Sequence, residues 1–270
     1  MRLLFIAMMV VIIMVIIMGI IMCRKKKKEL EIVVARYEED LSWLCEEPML
    51  SLGRRMPHAS LTLMIYNKGS PIPPDTIDRL CRHWSRVKIQ SLPNVGRCDH
   101  TFLYHITRHY SDWLSHRDQL VLFLPATCME HHKQTRTRQV IRALLQTQDT
   151  VLCGPPYSRD HAREFQLSEW KATSPRNYHA NDESYLKPAS PRPLGRWLDQ
   201  HLPDRPLPVY TFYSVFAVHP RHVVQHPLVL YQRLLATVDD HSNPEAGHYL
   251  ERSWSGLFYP YPESCIHYDI

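Results

Sequence analysis

The 270-residue sequence predicts an α/β domain with a mainly parallel central sheet flanked by helices, preceded by a single N-terminal transmembrane helix. Three observations predict it. Short β-branched apolar runs alternate with amphipathic helical stretches, the pattern of βα units. Each run closes on polar residues, glycine or proline, as strands do at loop ends. One continuous apolar segment opens the chain.

That segment, residues 3–22, holds 20 apolar residues. As a helix it reaches about 30 Å, the thickness of a bilayer core. It ends Met22-Cys23-Arg24 with no A-x-A-like site, so a retained anchor is expected rather than a cleaved signal. Arg24-Lys25-Lys26-Lys27-Lys28 follows at once, against only Arg2 and the α-amino group on the other side. The bias predicts the large domain on the cytoplasmic face. The chain has no N-x-S/T sequon, which agrees. Residues 24–28 also suit anionic lipid head groups, at about 1 kcal/mol each near the surface. A topology signal alone would account for them equally well. Cys23, at the membrane edge, is a candidate for acylation.

Lys and Arg number 32 against 27 Asp and Glu, a net charge of +5, and the five residues of the basic cluster account for it. The rest is near neutral, so nucleic acid is not an expected partner. Seven cysteines with no C-x-x-C pair read as reduced thiols rather than a disulfide framework.

Residues 29–270 form the α/β domain. Residues 30–36 and 61–66 are short apolar strands, and 87–92 is a weaker, alternating one. Asp40 can cap a short helix carrying Trp43. The prolines at 71, 73 and 74 make a loop, and residues 76–86 a short helix. Asn94-Val95-Gly96 turns the chain into a helix whose inner face is Phe102, Leu103, Ile106, Tyr110 and Leu114. Residues 119–124 are the clearest central strand, and 135–148 a helix with Val140, Ile141, Leu144 and Leu145 inward. Residues 155–208 hold nine of the 21 prolines and little periodicity, so a loop-rich insertion, a potential lid, is expected. Residues 209–218 read as one or two strands. Residues 227–238 and 245–258 are helices, the second burying Tyr249, Leu250, Trp254 and Phe258 while Glu251 and Arg252 share another face.

In open α/β sheets, ligands sit beyond the carboxyl ends of the strands. The polar residues there are Arg36, Tyr37, Glu38 and Asp40, then Asn67 and Lys68, then Asn94, Gly96, Arg97 and His100. Gly96 allows close backbone approach, and the helix after it offers free N–H groups to an anion, with Arg97 beside them. Taken singly, each residue fits a loop cap or a surface charge. Their convergence from three strand ends is what marks a site.

The blocks Val33-Val-Ala-Arg-Tyr-Glu-Glu-Asp-Leu-Ser-Trp43, Ile65-Tyr-Asn-Lys-Gly69, residues 92–105, Phe216-Ala-Val218, His226-Pro-Leu through Tyr231 and residues 244–254 carry a further signal. In that order they resemble the family called domain of unknown function 3431, over about residues 31–258 with the Pro-rich middle unmatched. That family in turn resembles nucleotide-sugar glycosyltransferases of the GT-A, Rossmann-like type. The resemblance implies a nucleotide-sugar donor as substrate. It implies that Arg36, Tyr37 and Asp40 line a nucleotide pocket, with Arg252 facing a diphosphate and Glu251 acting as general base. Asp40 and Glu251 are thus the catalytic candidates. Arg36, Tyr37, Asn67, Lys68, Asn94, Gly96, Arg97, His100, Arg252 and Trp254 are the binding candidates.

The chain departs from that pattern. Cys98 stands where the family has an acid, Pro125-Ala126 ends the fourth strand, and no D-x-D occurs. No metal or other cofactor is therefore expected. His105 with His109, His222 with His226, and His131-His132 have spacings that arise by chance among 17 histidines. G-x-S-x-G and P-loop signatures are absent. Two readings remain: a membrane-anchored, metal-independent glycosyltransferase-like protein, or a catalytically inactive, membrane-tethered interaction protein.

Overall fold

The structure is a computed structural model that describes residues 29–57, 59–116, 118–157, 163–167 and 186–268. The predicted span 3–22, Cys23 and the basic cluster 24–28 lie outside the described residues, as does much of the Pro-rich stretch. Among the described residues no helix is long and apolar enough to cross a membrane.

Four parallel strands and one antiparallel strand form the main sheet. β1 (Glu29–Arg36), β2 (Ser60–Asn67), β3 (Val87–Ser91), β4 (Gln119–Pro125) and β6 (Phe216–Val218) lie in the order β3-β2-β1-β4-β6. The chain steps outward from β1 to β3, then crosses back to place β4 on the other side of β1. The register aligns Arg36 with Asn67, Asn67 with Ser91, and Ala35 with Pro125. All four parallel strands therefore end at one edge. β6 runs against β4, and its first residue, Phe216, pairs with Phe123. The turn before β6 reaches the same edge from the opposite direction.

The period-2 alternation of buried strand residues gives the sheet two cores. Val33 and Ala35 of β1 face one layer; Leu30, Ile32 and Val34 face the other. The first layer holds α3 (Arg97–Ser115), α5 (Leu194–His201), α6 (Pro220–Val223), α7 (Leu228–Leu235) and α8 (Glu245–Leu257). The second holds α1 (Met49–Arg55), α2 (Pro74–His83) and α4 (Gln134–Thr147). Phe102, Phe123, Phe216 and Trp254 cluster between α3, the sheet and α8, with ring centroids 4.9–6.3 Å apart.

Several expectations need correction. Leu114 is 47% exposed, while Trp113 is 1% exposed and closes the inner face of α3. At about 100° per residue, Trp113 falls about 20° round the helix from Phe102 and Leu114 about 120°, so Trp113 lies nearer the middle of the buried stripe. Residues 209–218 hold one strand, within the expected one or two, but it is only three residues long and follows a 3-10 turn, Phe212–Ser214. α1 and a small parallel sheet of β5 (Leu152–Gly154) with β7 (Ile266–Tyr268) lack a periodicity long enough to be read. Part of the Pro-rich stretch belongs to the core. α5 buries Leu194, Trp197 and Leu198, with Pro193 just before its first turn, where proline suits a helix start.

Candidate functional site

The strand ends are tied to one another by their own side chains. Arg36 Nη1 donates to Asn67 Oδ1 at 2.5 Å and to the Ser70 carbonyl at 2.9 Å, and its Nε donates to the Glu39 carbonyl. Asn67 Nδ2 donates to the Gly69 and Ser70 carbonyls. Lys68 is buried and its ammonium donates to the carbonyls of Val95 and Arg97. Burial lowers its pKa to about 7. Arg36, Asn67 and Lys68 thus brace the loops after β1, β2 and β3, bonding to one another and to the backbone.

The loop after β3 enters α3 through two left-handed residues, Gly96 at φ +60° and Arg97 at φ +54°. A Cβ on Gly96 would overlap the Val238 carbonyl oxygen, so only glycine fits against that loop. The Gly96 N–H donates to the His241 carbonyl at 2.7 Å. A non-glycine residue at positive φ is uncommon, and Arg97 is held there by its surroundings.

Two helices far apart in sequence meet here. Arg97 Nη1 donates to Asn243 Oδ1 at 3.2 Å and to His248 Nε2 at 3.1 Å. On α8, Glu251 Oε2 lies 3.7 Å from His248 Nδ1 and 3.8 Å from Arg252 Nη1. The other oxygen, Oε1, accepts the Tyr213 N–H at 2.6 Å. Arg252 donates to the His248 carbonyl, and its guanidinium lies 3.8 Å from the centre of the Phe165 ring and 5.1 Å from that of Phe212. Phe165 belongs to the Pro-rich stretch, which therefore reaches the cluster. Asp99, in the first turn of α3, accepts at Oδ1 from Ser214 Oγ (2.7 Å) and from the Trp254 indole N–H (3.0 Å).

The two carboxylates are driven in opposite directions. Burial and the neighbouring Glu251 charge raise Asp99 to about 6, against the bonds from Ser214 and Trp254. For Glu251 burial also pushes upward, but His248, Arg97 and Arg252 prevail and hold it at about 2. His248 is lowered, chiefly by burial, with Arg97 opposing its protonation and Glu251 favouring it. Neutral His248 can accept from Arg97 at Nε2 while its Nδ1–H faces Glu251. The local charges are Arg97, Arg252 and Lys68 against Asp99 and Glu251.

The structure brings Arg97, Glu251 and Arg252 together, with Gly96 as the turn that allows it. Lys68 lies beneath, and His100, lowered to about 4 by burial and by Lys68, lies beside it. Asp40 and Tyr37 are elsewhere. Asp40 is exposed, accepts from Ser42, and has Arg79 of α2 as its nearby cation, on the second layer of the sandwich. Tyr37 is half-buried, and its N–H is bound by the Glu39 carboxylate. Asn94 is half-buried beside the Gly96 turn. β1 sends its loop toward α2 while α3 and α8 pack on the opposite face, so Asp40 stands apart from Arg97 and Glu251. Trp254 has no exposed surface and supports Asp99 from within the core. The predicted base, Glu251, is held too acidic for that task, since a general base works best with a pKa near the working pH.

Asp99, His248, Asn243, Ser214 and Phe165 were missed. Two had a signal: Asp99 is an acid in the first turn of the helix after Gly96-Arg97, and His248 stands one helical turn before Glu251. The other three depend on which loops meet.

No family model matches the sequence, and no curated relative matches it. Among solved structures that match is the mannose-1-phosphate geranyltransferase of Thermus thermophilus. It is 10% identical, covers 89% of this chain and 73% of that one, and has a TM-score of 0.30. At that identity and score the likeness says nothing of the site.

Proposed function

We propose that this chain is a glycosyltransferase-like protein that takes a nucleotide-sugar donor without a D-x-D metal site, and that residues 3–22 hold it in a membrane with the domain on the cytoplasmic side. One observation carries the reading. At the carboxyl edge of a parallel sheet, where α/β domains bind ligands, Arg97 and Arg252 stand beside two carboxylates of opposed acidity. The arginines would take a diphosphate in place of a metal. Asp99, at about 6, suits proton acceptance from an acceptor hydroxyl better than Glu251 at about 2, which would orient His248 and Arg252.

The other reading, an inactive tethered interaction protein, has its own support. Asp99 is 2% exposed, and the Arg36, Asn67 and Lys68 side chains bond to neighbouring loops. Thermal shift on the full chain in detergent separates the two. A donor at 100 times its Kd should add about 2.7 kcal/mol of stability. A panel of uridine and guanosine diphosphate sugars that leaves the melting temperature unmoved would sink the donor reading. The membrane reading has a separate test. Protease added to sealed vesicles should digest the large domain, and full protection would reverse the topology.

A further inference from the structure

The contact between Arg97 and Asn243 leaves donors unused. Arg97 is exposed to solvent, and Asn243 and His248 are both met by its Nη1. A guanidinium has five N–H donors, so those on Nε and Nη2 remain. Asn243 is only 6% exposed, yet its Nδ2 has no partner among the described residues. The amide cannot be turned to relieve this, because its NH₂ would then face the Arg97 donor. Covalent geometry holds Nδ2 about 2.3 Å from Oδ1, so the orphan donor lies beside the guanidinium.

The start of α3 adds to this. The loop leading to Asn243 presses on Gly96 through the His241 and Val238 carbonyls. The N–H groups of Cys98 and Asp99, in the first helical turn, meet no acceptor among the described residues. The ammonium of Lys68 lies beneath, on the carbonyls of Val95 and Arg97. Two carboxylates stand nearby: Asp99 accepts at Oδ1 from Ser214 and Trp254 and at Oδ2 from the Cys98 thiol, and Glu251 is held by Tyr213, His248 and Arg252.

We propose that Arg97, Asn243 and the first turn of α3 form a binding site for a phosphate-class anion. A buried amide N–H, a guanidinium edge and helix-start amides are donors grouped around the Gly96–Arg97 turn. They suit a group with several acceptor oxygens around one centre. The phosphate can come from the diphosphate of a nucleotide or from a non-nucleotide phosphate. Only the nucleotide source rests on the function proposed above.

The test is calorimetric titration of the full chain in detergent with pyrophosphate, inorganic phosphate and uridine or guanosine diphosphate, at constant ionic strength set with KCl. Saturable pyrophosphate binding is expected, weakened at least tenfold in both Arg97→Gln and Asn243→Leu. If those chains fail to fold, phenylglyoxal labelling of the unaltered protein gives the same answer: pyrophosphate should protect Arg97. Tighter binding of a nucleoside diphosphate than of pyrophosphate supports the nucleotide source. Pyrophosphate binding with no gain from the nucleoside keeps the site and discards the nucleotide reading. Absence of pyrophosphate binding, binding unchanged in both variants, or Arg97 labelled equally with and without pyrophosphate would overturn the site. Nucleotide-sugar binding that survives both substitutions would overturn the nucleotide source for this site while leaving the proposed function standing.

Discussion

Glu245 and Glu251 stand on the same helix and have different surroundings. Glu245 is fully buried; its oxygens accept the N–H groups of Leu167 (2.7 Å) and Ala189 (2.9 Å), and Arg192 Nε lies 2.8 Å away. It ties two pieces of the Pro-rich stretch to the start of α8, where an acid also suits the helix dipole. Glu251 accepts one backbone N–H and faces His248, Arg97 and Arg252, with 20% of its side chain exposed. A carboxylate balanced by two amides and one arginine is scaffold. One that faces three basic neighbours and shares one of them, Arg97, with a second acid can do chemistry. Burial alone does not separate them; the balance of partners does.

The largest test of that contrast is Glu245→Ala. It leaves the N–H groups of Leu167 and Ala189 without their acceptor, at about 1–3 kcal/mol each, and removes the carboxylate from the partly exposed Arg192. Chemical denaturation should show that loss, and proteases should cut between residues 155 and 208 at lower concentrations than in the unaltered protein. A loss below about 1 kcal/mol would mean that the Pro-rich stretch is not held through α8.

Arg252→Ala should cost less. It loses one hydrogen bond to the His248 carbonyl and the stacking on Phe165, together about 1–3 kcal/mol, while Arg97 and His248 still face Glu251. If donor binding disappears as well, the arginine serves both fold and ligand. An unchanged melting temperature would remove Arg252 from the fold's support and leave it to the ligand alone.

What could be read in advance follows the same division. β1, β2 and β4 were legible because a buried parallel strand is a short apolar run, and α3, α4 and α8 because their buried residues repeat at helical spacing. The shared edge followed from parallel pairing. The destination of each side chain on that edge did not. Arg36 and Lys68 point at neighbouring carbonyls, and Asp40 lies on the α2 side, because three-dimensional loop paths decide this and local pattern does not. Asn243 and Phe165 sit in loops without periodicity, so nothing marked them. The helix inside 155–208 was hidden by its flanking prolines, since Pro191 and Pro193 read as loop until Trp197 and Leu198 are seen to be buried.

The smallest effect is the most specific, and it concerns Asp99 and Glu251 as a pair. Glu251 sits at about 2 in the fold, below its ordinary 4.5, so its contribution to stability is present above about pH 4.5 and is lost as pH falls toward 2. Asp99 sits at about 6, above its ordinary 3.8, so its contribution is full below about pH 3.8 and is lost as pH rises through 6. The pair together favours the fold most near pH 4. Glu251, Arg97, Cys98 and Lys68 are the titratable groups around Asp99. In Asp99→Asn the amide oxygen can still accept from Ser214 and Trp254, while the proton equilibrium is gone. The melting temperature of this variant minus that of the unaltered protein should therefore rise between about pH 4 and pH 6.5, then level off. In Glu251→Gln the same difference should fall as pH rises from about 2 to 4.5, because only the unaltered protein gains there. Subtraction cancels the other titrating groups, including His100 and His105, provided the fold is unchanged. A flat difference for Asp99→Asn between pH 4 and 6.5 would mean that its carboxyl is not raised in the fold, and the assignment of proton acceptance to Asp99 would fall with it.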